Sequence, residues 1–137
     1  FAYHGAEHKT INAFESGADL TPENVAKFSL KHPRCGTGFI LILVIFSVIL
    51  FSLLGPMSML MRLATRVVLL PVLVVVAYEY MRFTANHLDN PIGRILAFPG
   101  LAMQKLTTVE PTPEMLEVAI AAFKAMYDQE QLGKLAV

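Results

Sequence analysis

From Gly36 to Met61 the chain carries no charged side chain, and the core of that stretch, "FILILVIFSVILFSLL", is apolar apart from two serines. Water does not tolerate such a run on a surface, so a membrane span is the simplest reading. A second apolar block, "VVLLPVLVVVAYEYM", runs from Val67 to Met81 between Arg66 and Arg82, whose long stems can carry their charges to the headgroups. About 16 residues at 1.5 Å each reach roughly 24 Å, against a hydrocarbon core of roughly 30 Å. The block therefore reads as a short span, a re-entrant segment or a helix sheathed by neighbouring subunits.

These blocks divide the chain into a polar head (1–35), a two-helix membrane region (36–82) and a surface segment with a tail (83–137). Two crossings put head and tail on the same side. Lys27, Lys31 and Arg34 before the pair and Arg82 and Arg94 after it outnumber Arg62 and Arg66 in the connection, which favours cytoplasmic ends. No segment alternates as a strand would, so the expected fold is an all-α membrane protein. Eleven basic and 11 acidic side chains balance, so no nucleic acid is expected as a partner. One cysteine, Cys35, excludes an internal disulfide and fits a reducing compartment. The first residue is Phe and no signal peptide is evident, so the chain is expected to be part of something longer.

Two helix starts have a mechanism. "LTPENVAKFSLKH" sets Thr21 as N-cap, Pro22 at the first helical position and Glu23 near the positive end of the dipole. "PTPEMLEVAIAAFKAMYDQ" repeats the device with Thr112, Pro113 and Glu114, and Leu116, Ile120, Phe123 and Tyr127 recur at helical steps, giving an amphipathic tail helix. Between spans and tail, "NPIGRILAFPGLAMQKLTT" is punctuated by Pro91, Gly93, Pro99 and Gly100. It reads as a broken helix lying along the membrane surface or beneath the head rather than as a third span.

The chemistry is concentrated in the head. In "HGAEH", His4 and His8 stand one helical turn apart with Glu7 beside them, so two imidazoles can share a tetrahedral zinc while the carboxylate acts as base on its water. The order inverts the common zinc-protease motif and is the order of inverted zinc peptidases. Gly5 weakens that turn, and the same residues also read as the polar end of a helix packed at the membrane surface. "KHPRCG" adds His32 and Cys35 at a spacing that suits two ligands on a turn, completing a four-donor set. Against that, Cys35 also reads as a small buried hydrophobe and His32 as a helix C-terminal residue. Glu79, a carboxylate in an apolar block, needs a partner or a function, and Arg82 can neutralise it. His87, Asp89, Glu110 and Glu117 are further donors that read individually as solvated surface.

The blocks "YHGAEHKTI", "HPRCGTGFILI" and "PGLAMQKLTTVEPTPEMLEVAIAAF" resemble the YqhQ-like family of bacterial integral membrane proteins, a domain of unknown function labelled as predicted metal-dependent enzymes. The resemblance covers nearly the whole chain in colinear order. It implies a location in the bacterial cytoplasmic membrane and a divalent metal, zinc by donor type, held by residues of the first two blocks: here His4, Glu7, His8, His32 and Cys35. Family members usually carry a further glycine-rich, apolar N-terminal portion, absent from this sequence.

Two functions follow as expectations. One is a membrane-embedded metal-dependent hydrolase with Glu7 as general base. The other is a non-catalytic oligomeric scaffold, channel or accessory factor, in which the tail helix packs on neighbouring copies.

Overall fold

The computed structural model describes residues 1–135, and among them every regular element is a helix. These are α1 (Ala2–Glu15), α2 (Pro22–Val25), α3 (Gly36–Leu53), α4 (Met59–Asn86), α5 (Pro91–Thr107) and α6 (Pro113–Leu135). The chain forms two compact units: residues 1–32 with the segment from Lys105 onward, and Pro33–Gln104.

In the first unit, Ala6 and Ala13 of α1 pack with Val25 of α2 and Leu116 and Ile120 of α6. The small α1 side chains let the helices come close, while the branched residues opposite supply the buried apolar area. Phe14 extends this contact, its ring 4.8 Å from Phe123 and 5.2 Å from Tyr127 between centroids. α6 starts as its sequence requires, with Leu116 N–H donating to Thr112 C=O at 3.1 Å and Pro113 opening the helix. A hydrogen bond from the Thr112 side chain, then one from the backbone of Glu114 itself, holds the Glu114 carboxyl below the ordinary carboxylate value.

α1 is buried on a second side as well. Gly5 approaches the 109 segment so closely that a Cβ there would collide with Val109 C=O and come within 2.8 Å of Leu30 Cδ2. The glycine that weakens the helix in isolation is thus the residue that lets it seat. Four positions on, Lys9 is almost wholly buried, and its ammonium donates to Ala26 C=O at 2.7 Å, Phe28 C=O at 2.9 Å and Glu110 Oε1 at 2.7 Å. Asn12 donates to Ser29 C=O at 2.8 Å and Lys31 C=O at 3.0 Å.

These bonds correct the reading of residues 20–32 as one helix. Thr21 and Pro22 start it as expected, with Thr21 Oγ1 accepting from Asn24 N–H, but α2 ends at Val25. Beyond it the backbone turns at Ala26 and Lys27 and runs irregularly beside α1, and its carbonyls are taken by Lys9 and Asn12 instead of by a helical ladder.

The second unit is built on an antiparallel pair, α3 and α4, joined through Gly55 at φ 68° and capped by Ser58, whose Oγ accepts from Met61 N–H. Ile42, Leu73 and Ala77 are buried in this unit, whereas Val44, Val48, Leu63, Val67 and Val75 face outward. At 1.5 Å per residue the 18-residue α3 is about 27 Å long and the 28-residue α4 about 42 Å. Both are long and apolar enough to cross a membrane. The second block is thus not short: Ser58 starts its helix well before Val67, and Arg62 and Arg66 lie within it. α5 is likewise one helix rather than a broken one, since Pro99 removes a single helical donor and the chain continues through it. Gly100 passes so close to Gly38 that a Cβ on Gly38 would lie 3.4 Å from the Gly100 Cα.

Lys9→Met keeps the stem but removes three donors, and it should lower the stability of the first unit by about 2–3 kcal/mol. Gly5→Ala should cost about 1–3 kcal/mol through the backbone collision. Lys124→Met, on an exposed part of α6, should stay within about 0.5 kcal/mol. Denaturant unfolding of detergent-solubilised protein, followed by circular dichroism, measures all three.

Candidate metal centre

His4 and His8 point from the same side of α1, with ring centroids 4.3 Å apart in an edge-to-face arrangement, and their ligand nitrogens lie within 4.8 Å of one another. Each ring is fixed by its Nδ1. His4 Nδ1 donates to Thr107 C=O at 2.8 Å and His8 Nδ1 donates to Leu30 C=O at 2.6 Å. A carbonyl oxygen only accepts, so both Nδ1 atoms carry the proton and the lone pair of each neutral ring sits on Nε2. Metal-ligating histidines are oriented in this way, with the non-ligating nitrogen held by a backbone carbonyl.

His32 joins them, its ring centroid 5.9 Å from that of His8, and it is buried. Its Nε2 lies 3.5 Å from Glu15 Oε2, near the end of α1. Three of the four donors expected from sequence, His4, His8 and His32, are therefore gathered within one unit. Cys35 belongs to the other unit, as the N-cap of α3, with its Sγ 3.1 Å from Thr37 Oγ1.

Glu7 is placed differently from the imidazoles. It is exposed and lines a largely apolar groove of about 360 Å³ between α1 and α6, shared with Tyr3, Ile11, Ala119, Phe123 and Met126. Glu79 pairs with Arg82, Nη1 to Oε1 at 3.5 Å, so the carboxylate in the apolar block has its partner within the same helix. His87 donates Nδ1–H to Phe83 C=O at 2.7 Å and stacks on that ring; Asp89 and Glu117 are exposed. Glu110 is the carboxylate that meets Lys9. Sequence reasoning had no signal for the Lys9 role, nor for the Leu30 and Thr107 carbonyls, because each contact joins distant parts of the chain.

Burial is the main influence that pushes the His8 imidazole below its ordinary value of 6.5; the Leu30 hydrogen bond opposes this, and the neighbouring His4 and His32 add to it. The ring is thus kept in the neutral form that binds metal.

Residues 1–129 match the family described as Protein of unknown function (DUF1385). The chain belongs to this family. Over 134 residues it is 40% identical to Uncharacterized protein YqhQ of Bacillus subtilis (strain 168), an alignment that takes in 98% of this chain and 42% of that protein. The chain thus spans less than half the length of that relative. No solved structure matches it. The resemblance carried by the three sequence blocks holds at the level of the family, and in this DUF1385 chain the first block supplies His4, His8 and Lys9 together.

With a folded-state value below that of the unfolded chain, His8 is the weaker proton acceptor when folded, so its share of stability is full above pH 6.5 and declines as the pH falls below it. Chelator-treated protein should therefore melt at progressively lower temperature from pH 7.5 to pH 5. His8→Asn should flatten that dependence.

Proposed function

We propose that the head of this protein binds a divalent metal, zinc by donor type, through His4, His8 and His32, and that the metal centre serves a membrane-anchored accessory module. The observation that supports this most directly is the pair of Nδ1–H bonds to Leu30 and Thr107, which orient two Nε2 lone pairs on one side of α1. The donor set suits zinc, which accepts imidazole nitrogen readily. When bound, the ion would cross-link α1 to the segment carrying His32. Cys35, offered by the sequence as a fourth donor, is tested separately by Cys35→Ser.

Burial of His8 and His32 keeps water from the donors, and a fourth protein donor would close the shell into a structural site, whereas three imidazoles alone would leave the open position of a catalytic one. Hydrolysis with Glu7 as general base is the reading that the inverted motif order favours. Glu7 faces the groove between α1 and α6, where it is well placed to meet a partner or ligand.

Anchoring in a bacterial cytoplasmic membrane by α3 and α4, with cytoplasmic ends, completes the proposal, and the exposed apolar residues Val118, Met126 and Leu132 of α6 support self-association. Light scattering of the detergent-solubilised protein tests the latter, and a particle of monomer mass would sink it.

Protein purified without added metal should carry about one zinc per chain by elemental analysis. His8→Ala should lower that content at least tenfold, in line with loss of a primary ligand. Glu7→Gln should leave it unchanged. An equal metal content in wild type and His8→Ala would overturn the site.

A further inference from the structure

The turn between α3 and α4 encloses a hollow of about 270 Å³, lined in part by Phe51, Gly55, Met57, Arg62, Thr65 and Arg66. Arg62 and Arg66 stand one helical turn apart on α4, so their guanidiniums share a face. Both side chains are exposed. Like charges at this spacing repel, and neither arginine meets a carboxylate among the described residues. Arg62 Nη2 makes a long contact of 3.4 Å to Met57 C=O, and Arg66 sits over the Phe51 ring with its Cζ 5.6 Å from the centroid. No aspartate or glutamate occurs from Gly36 to Tyr78. The nearest acid along α4, Glu79, lies roughly 20 Å away along the helix axis and already pairs with Arg82.

Two planar forks with no acidic partner among the described residues, lining one polar hollow, are donors suited to hold an oxyanion through paired hydrogen bonds. The hollow lies where two apolar helices end, at Leu53 and Met59, which is headgroup level if they cross a bilayer. We propose that Arg62 and Arg66 form a cradle for the phosphodiester of an anionic phospholipid. Phe51 keeps the Arg66 fork in place through its ring face, and Gly55 gives the turn the left-handed conformation that opens the hollow. The assignment rests on the membrane reading of α3 and α4 and is independent of the metal centre.

The test is native mass spectrometry of the detergent-solubilised chain, titrated in separate arms with phosphatidylglycerol, phosphatidylcholine and inorganic phosphate. Wild type should bind phosphatidylglycerol at least tenfold more tightly than phosphatidylcholine, and Arg62→Gln/Arg66→Gln should abolish that preference. Arg62→Lys/Arg66→Lys, which keeps the charge and loses the forks, should bind several-fold more weakly than wild type while keeping part of the preference. If the glutamine variant loses its helical circular dichroism signal, the lysine variant and the wild-type lipid preference decide the matter. Equal binding of the two lipids by wild type, or a glutamine variant indistinguishable from it, would overturn the cradle. Competition by inorganic phosphate at the same concentration as the lipid would replace the lipid with a free anion. Carbonate extraction of wild-type membranes tests the underlying reading by itself, because release into the soluble fraction removes the bilayer whatever the arginines bind.

Discussion

The first unit depends on the buried ammonium of Lys9. A charge in that position would destabilise the fold if it lacked acceptors, and here three protons meet three oxygens: two backbone carbonyls and one carboxylate. Because the acceptors come from residues 26, 28 and 110, one side chain ties α1 to the stretch after α2 and to the approach to α6. The apolar contacts of Ala6, Ala13, Val25, Leu116 and Ile120 provide most of the cohesion, but they do not specify where the irregular backbone lies. Lys9 and Asn12 do, by taking carbonyls that no helix satisfies. The imidazoles of His4 and His8 sit on the same well-fixed helix, so their geometry inherits that precision.

The second unit follows a different logic. Its buried positions are few and include the small residues Gly38, Ala77, Gly93 and Ala97 beside Ile42, Leu73 and Gln104, while large aliphatic side chains cover the outside. Such an arrangement inverts the pattern of a water-soluble bundle and agrees with packing in hydrocarbon, where close backbone approach replaces the hydrophobic drive between helices. Tyr80 illustrates the remaining polar requirement: its half-buried hydroxyl donates to Leu96 C=O at 3.0 Å, so this donor of α4 is satisfied by α5.

Much of this was legible from local pattern. The uncharged run from Gly36 announced α3, the Thr-Pro-Glu devices marked the starts of α2 and α6, and the four-residue spacing put His4 and His8 on one side of a helix. What escaped depended on distant partners. Lys9 has the sequence signature of a surface lysine, and only the carbonyls 17 and 19 residues away make it a buried one. Gly5 looked like a weakness because its benefit lies in Val109, far along the chain. α2 was overestimated since helix periodicity says nothing of competing acceptors on a neighbouring element, and α4 was underestimated because its early arginines masked a helix already under way.

The chain passes between its two units at two places, after His32 and after Gln104. His8 grips the carbonyl of Leu30 and His4 that of Thr107, so each imidazole holds the backbone within three residues of one of these crossings. The rings are therefore latches on both tethers. Whatever reorients them acts on the incoming and the outgoing segment at the same time. A chemical event on one face of α1 would in that way become a mechanical one along the chain.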